Sequence, residues 1–284
     1  MTIRDYVQLM KLRIGALIAL TAVMGYAAVA EKIDLPEVAI LVVAMLLGSA
    51  SSAVFNHFYD RDIDRLMTRT ANRPCASGAM THPSAVLLFA AVLLALGLGI
   101  AVYSFNLAVA LHLFLGAFIY GVVYTVWLKR RTWMNIVIGG AAGSFALLAG
   151  AAAVDPGIWL LPMLLAVTLF LWTPSHFWAL AILLREDYRQ AGVPMLPVLV
   201  GDARTAQAIF FNSLLLVGSS MLPWALGELG AVYGIGAALL GAGLLWANWK
   251  LLHDPSRLWA RRNFIASMPY LMGLFIAILA DVHF

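Results

Sequence analysis

Charge is scarce in this sequence: Asp, Glu, Lys and Arg make up 11% of its 284 residues, against about 25% in a typical water-soluble domain. With 63% hydrophobic residues and a mean hydropathy of +0.91, a soluble globular chain is excluded. Cysteine is scarcer still. The single Cys75 cannot close an intramolecular disulfide and belongs to no CxxC or CxxCH pattern, which removes disulfide scaffolds, cysteine-ligated zinc and covalently attached c-type haem. Alternating apolar and polar residues over strands of about ten residues are missing, so an outer-membrane barrel is excluded as well. A pI near 9.3 would suggest nucleic acid in a soluble protein. Here no nucleic-acid partner is expected, because loop lysines and arginines orient a membrane chain.

What the sequence does hold is a series of apolar runs, each near the roughly 20 residues that cross a bilayer. They cover Leu12–Ala30, Val38–Tyr59, Ser84–Tyr103, Leu107–Leu128, Trp133–Val154, Ile158–Leu184, Thr205–Leu226, Leu229–Leu251 and Phe264–Ala280. The expected fold is all-α, a polytopic membrane bundle of nine transmembrane helices forming one domain over residues 1–284. Glycines within the runs allow close helix approach, and tryptophans suit the headgroup layer. The first run ends in Ala28-Val29-Ala30, which imitates a signal-peptide cleavage site, although an uncleaved membrane protein begins in the same way.

Placing the loops alternately on two sides segregates the basic residues. Of the 18 Lys and Arg, only Lys32 falls on the side opposite the N-terminus. The positive-inside rule then predicts a multi-pass protein of the cell inner (plasma) membrane, with the N-terminus cytoplasmic and the C-terminus outside. The cytoplasmic face is strongly positive, which suits anionic membrane lipids and any anionic substrate. Two inner loops are long, Asp60–Pro83 and Arg185–Arg204, and function is expected there, toward the cytoplasmic face.

The first loop opens with Asn56-His57-Phe58-Tyr59-Asp60-Arg61-Asp62-Ile63-Asp64-Arg65. If the helix continues, Asn56, Asp60 and Asp64 share one face as a column of hard oxygens. A divalent cation relieves the repulsion between such carboxylates, and Mg²⁺ so held usually completes its shell with substrate phosphates. Arginines interleaved with aspartates also fit a solvated, salt-bridged helix end. The Asn one turn deeper in an uncharged helix favours the metal site. Arg69, Asn72 and Arg73 follow as donors for a diphosphate. The second loop carries Arg185-Glu186-Asp187-Tyr188-Arg189 after the sixth run. Runs two and six are each second in a set of four, so hydropathy suggests a 4+4+1 arrangement whose two acidic loops face one diphosphate. A neutralised diphosphate leaves more readily, and an aromatic, apolar core shields an allylic cation.

At these residues the sequence resembles the UbiA superfamily of intramembrane prenyltransferases, and within it the protoheme IX farnesyltransferases. The matching segments are Asn56 to Asp64 with Arg69 and Asn72-Arg73-Pro74, then Tyr124-Thr125 to Thr132 with Asn135 to Gly140. His176-Phe177-Trp178-Ala179-Leu180 and Asp187-Tyr188 to Pro197 complete the match. The resemblance implies a farnesyl diphosphate donor, Mg²⁺, and haem b as acceptor, giving haem O for terminal oxidases. It implies Asn56, Asp60, Asp64 and Asp187 as metal ligands, with Arg73, Lys129 and Arg130 on the diphosphate and Tyr124 donating to it. An association with haem A synthase or oxidase assembly factors is part of the same expectation. Trp133-Met134 and Ser144-Phe145-Ala146-Leu147 depart from the family pattern, so the acceptor wall on the fifth run is altered while the donor half is intact. An aromatic quinone precursor is the alternative acceptor, and a transporter the alternative of another class. Buried His57, His112 and His176 each read as hydrogen-bonded core residues, with His176 the best candidate for a catalytic or iron-binding role.

Overall fold

The structure is a computed structural model that describes residues 2–80 and 82–284. Among the described residues, nine helices are long and apolar enough to cross a membrane and no strand occurs. The spans are Leu12–Val29, Leu35–Tyr59, Pro83–Ser104, Leu107–Leu128, Asn135–Val154, Leu160–Leu183, Leu196–Ala225, Ala231–His253 and Arg257–His283. Each is apolar around most of its circumference, as a helix must be when one face meets lipid and the other meets neighbouring helices.

The packing follows the expected division into two sets. One apolar core draws on spans one to five, with Ala22, Leu41, Ala44, Leu113 and Ala149; another draws on spans five to nine, with Leu161, Leu216, Tyr233 and Leu274, and is joined by Met24 and Ala28 of span one. Spans one and five, the first members of each set, pack on each other. Small residues make this possible. A Cβ on Gly150 would collide with the Ala22 carbonyl oxygen, and one on Gly25 with that of Leu147. In lipid, where hydrocarbon offers no hydrophobic gain, such close backbone contact is a principal source of helix association.

Several boundaries differ from the sequence reading, for identifiable reasons. Span seven begins at Leu196 rather than Thr205, with Gly201 at φ 80° interrupting the helix, a conformation that glycine adopts without Cβ strain. Much of the second acidic loop is thereby helical, through Arg185–Gln190 and the start of span seven. Span nine begins at Arg257, capped by the Ser256 hydroxyl, and carries Arg261 and Arg262 within its first turns. Ahead of span one, a short helix Ile3–Leu9 is closed by a capping box between Thr2 and Asp5. The last stretch of span four, Ile119–Leu128, is π-helical.

Candidate active site

The first acidic motif keeps its register through the end of span two. The helix stops at Tyr59 and a further turn covers Arg61–Asp64, yet Asp60 N bonds Asn56 O at 2.9 Å and Asp64 N bonds Asp60 O at 2.8 Å. Asn56, Asp60 and Asp64 therefore form the expected column, and all three are buried, Asp60 completely. The following loop is tied back onto it. Thr70 Oγ1 donates to the Asp64 carbonyl at 2.9 Å, and Arg73 donates to Asp64 Oδ2 at 2.8 Å.

Span four supplies the facing cations. In the π-helix, Lys129 N bonds Tyr124 O at 2.8 Å and Thr125 Oγ1 donates to Tyr120 O at 2.8 Å, both five residues back. The wider turn aims Thr125 and Lys129 at span two; π segments commonly occur at functional sites. Asn56 Nδ2 donates to Thr125 Oγ1 at 3.0 Å and to Asp60 Oδ2 at 2.7 Å, while Lys129 Nζ pairs with the same Asp60 oxygen. Arg130 reaches Asp60 Oδ1 at 3.5 Å and grips Asp62 with two bonds of 2.7 Å. Hydrogen bonding from Arg130 holds the exposed Asp62 carboxyl down near 2. Beside this pair a cleft of about 440 Å³ opens between Phe58, Tyr59, Arg61, Asp62 and Arg130.

The two acidic loops meet. Ile63 and Met67 from the first pack with Tyr188, Ala191, Val193 and Met195 from the second, with Ile136 and Tyr124 joining them. Tyr124 stacks on Tyr120 with ring centroids 5.6 Å apart. Asp187 stands half-buried on the second loop, and no hydrogen bond or ion pair engages its carboxylate among the described residues. Arg69 and Asn72 are exposed at the loop surface. His176 lies within span six, whereas Asp187 lies on the separate helix Arg185–Gln190 that follows it. His176 bonds Ser267 Oγ through Nδ1 at 2.6 Å, and its ring lies between Trp172 and Phe264 at 4.3 and 4.5 Å.

A hard divalent cation fits this donor set. Asp60 Oδ1 and Asp64 Oδ1 are buried without a hydrogen-bond partner, and carboxylate oxygens free of hydrogen bonds are what Mg²⁺ takes. In the structure Lys129 and Arg73 neutralise these carboxylates from their other oxygens. Among the described residues no three acidic, His or Cys side chains converge on one point. The Asn56 amide oxygen accepts from Lys11 Nζ at 2.8 Å.

Comparison with known proteins identifies the family. A model of the UbiA prenyltransferase family matches residues 16–277. The chain belongs to that family. The chain is 63% identical over 283 residues to protoheme IX farnesyltransferase 1 of Paramagnetospirillum magneticum, covering 100% of both chains. It is 45% identical to protoheme IX farnesyltransferase 2 of the same organism, over 95% of this chain and 94% of the relative. Among solved structures it is similar to a digeranylgeranylglyceryl phosphate synthase, at TM-score 0.82 and 21% identity, covering 98% of each. A UbiA homologue of Archaeoglobus fulgidus bound to DMAPP and Mg²⁺ superposes at TM-score 0.72 and 19% identity, over 97% of this chain and 99% of that one. These two structures share the UbiA fold. The chain is a multi-pass membrane prenyltransferase.

Three features of this UbiA prenyltransferase site escaped the sequence reading. Lys11, just ahead of span one, is held in a left-handed conformation at φ 48° and reaches Asn56 and, at 3.3 Å, the Tyr120 hydroxyl. Burial, then the charges of Arg73 and Lys129, push it down to about 7. Thr125 links Asn56 to the π-helix. The third is a correction: His57 was expected to be a hydrogen-bonded core residue, yet both ring nitrogens are buried without a partner, as is Nδ1 of His112. The helical backbone around each ring spends its own polar groups in the helix ladder and leaves none for the imidazole.

Proposed function

We propose that this prenyltransferase moves a farnesyl group from farnesyl diphosphate onto a vinyl group of haem b, giving haem O for terminal oxidases. The observation that carries the donor half is the cluster of Lys11, Arg73, Lys129 and Arg130 around buried carboxylates with oxygens that accept no hydrogen bond. The acceptor rests on the full-length relatives named protoheme IX farnesyltransferase.

Asp60, Asp64 and Asp187 would hold Mg²⁺, with Asn56 joining if its amide oxygen exchanges Lys11 for the metal. The metal would supply charge neutralisation on the leaving diphosphate. Arg73, Lys129 and Arg130 bind the diphosphate oxygens, Tyr124 donates its hydroxyl proton to one of them, and Arg69 and Asn72 close over them from the loop. The C1–O bond breaks with its electron pair leaving on the diphosphate. The allylic cation, shielded from water by the aromatic bundle, is attacked by the vinyl π-bond, so a C–C bond forms and the charge moves to the carbon beside the porphyrin ring. Water adds there and loses a proton to solvent, leaving the hydroxyethylfarnesyl group. His176, with Nδ1 held by Ser267, positions the acceptor through its second nitrogen.

The working unit is one domain over residues 1–284 in the cell inner membrane, with the site facing the cytoplasm, the N-terminus inside and the C-terminus outside. The segregation of Lys and Arg supports this orientation. The test is to incubate purified protein with farnesyl diphosphate, Mg²⁺ and haem b and to look for haem O by mass spectrometry. No haem adduct, with prenylation of an aromatic quinone precursor instead, would overturn the acceptor and keep the donor.

A further inference from the structure

His57 is the group in the site that the chemistry above leaves unused. It is 3% exposed, and neither Nδ1 nor Nε2 has a hydrogen-bond partner. An imidazole carries an N–H on at least one nitrogen in every tautomer, so a donor is left unpaired in the protein interior. Such a group costs free energy unless something else satisfies it. Its surroundings say what that is. His57 follows Asn56, whose amide oxygen holds Lys11. The charges of Lys11, Arg73 and Lys129 all act at the His57 ring. Arg73 and Lys129 are paired with Asp64 and Asp60, whose second oxygens accept no hydrogen bond. An unpaired donor in a locally positive pocket calls for an anion, and an anion bearing several oxygens can take the imidazole N–H together with the cations.

We propose that His57 is a diphosphate-binding residue, donating its ring N–H to a non-bridging oxygen of the prenyl diphosphate and of the pyrophosphate product. This rests on the prenyltransferase site described above and adds span two's inner face to the cradle. A hydrogen bond to a charged oxygen in a buried site is among the stronger ones. Its loss weakens binding by about 10-fold or more.

The experiment measures binding of inorganic pyrophosphate with Mg²⁺ to the purified full chain in detergent, by calorimetry, together with thermal stability without ligand. His57→Phe, which keeps a ring and removes the donor, is expected to weaken pyrophosphate about 10-fold or more. His57→Gln, which restores an N–H, is expected to recover affinity to within about 3-fold. If His57→Phe does not fold, His57→Met against His57→Gln makes the same comparison. Wild-type affinity in the folded Phe or Met variant overturns the assignment. So does a loss that His57→Gln fails to restore, for that marks a packing role. A wild-type protein that binds no pyrophosphate overturns the diphosphate site itself, and is distinguished because the failure appears before any substitution.

Discussion

The pairing of Asp60 with Lys129 sets up a test whose magnitude follows from the geometry. Asp60 is fully buried, and Lys129 is nearly so. One Asp60 oxygen takes Lys129 Nζ and, at 2.7 Å, Asn56 Nδ2; the other faces Arg130 at 3.5 Å. A unit charge pair at such a separation is worth about 5 kcal/mol at an effective dielectric near 20, before desolvation is charged against it. Desolvation cancels much of that, so the intact pair contributes little net stability, but removing one partner strands the other and costs about 3–5 kcal/mol. Asp60→Asn should therefore destabilise the protein by about 3 kcal/mol, since Lys129, Arg130 and Lys11 are left in one another's field. Lys129→Met should cost about 2 kcal/mol, because Arg130 and Asn56 still serve the carboxylate. The double variant should cost no more than Asp60→Asn alone, a coupling of about 2 kcal/mol. The assay is denaturant unfolding in mild detergent without divalent cations, followed by tryptophan fluorescence, on all four proteins. Costs that add to within about 0.5 kcal/mol would refute the reasoning, since additivity means the two groups do not sense each other.

Other consequences separate binding from folding. Asp187, whose carboxylate makes no hydrogen bond or ion pair, should tolerate Asn with a stability change within about 0.5 kcal/mol, while diphosphate release falls to background. Asp64→Asn should lose that activity and also stability, because it uncouples Arg73; equal stability for the two variants in thermal melts would contradict this. Gly150→Leu should prevent stable folding, as even a Cβ there meets the Ala22 carbonyl. A monodisperse variant with wild-type melting would show that spans one and five can separate. Cys75 is buried, and desolvation pushes its thiol up to about 11. It stays protonated at neutral pH, so maleimide should label it in denatured protein and spare it in the native state at pH 7.5; rapid native labelling would contradict its burial.

What could be read from the sequence divides along a physical line. Helices that cross a bilayer must be long and apolar, so all nine spans were visible in hydropathy, and the 4+4+1 order followed from their number and from the two acidic loops. The column of Asn56, Asp60 and Asp64 was equally visible, because a spacing of four reports one helical face whatever the helix packs against. Boundaries shifted where charge and apolarity disagree with backbone geometry. Arg261 and Arg262 lie in span nine because a helix can extend beyond the lipid into the polar interface. Span seven starts early and breaks at Gly201, an interruption that hydropathy does not register.

The missed residues share one cause: their partners lie far away in sequence. Lys11 meets Asn56 across 45 positions, and Asn56 meets Thr125 across 69. No local spacing encodes either contact. The π register of span four is hidden for a related reason. Its advantage arises from what Thr125 and Lys129 reach on span two, while its own residues, Ile119 to Leu128, would build an ordinary helix equally well. The first loop therefore announced its carboxylates, but the cations around them come from three places: Lys11 ahead of span one, Arg73 in the loop itself, and Lys129 with Arg130 at the end of span four. Charge in this chain is scarce because lipid surrounds it. The buried charges that remain are tolerated where the ends of spans one, two and four bring opposite signs together, and that same convergence leaves two carboxylate oxygens and an imidazole without hydrogen-bond partners.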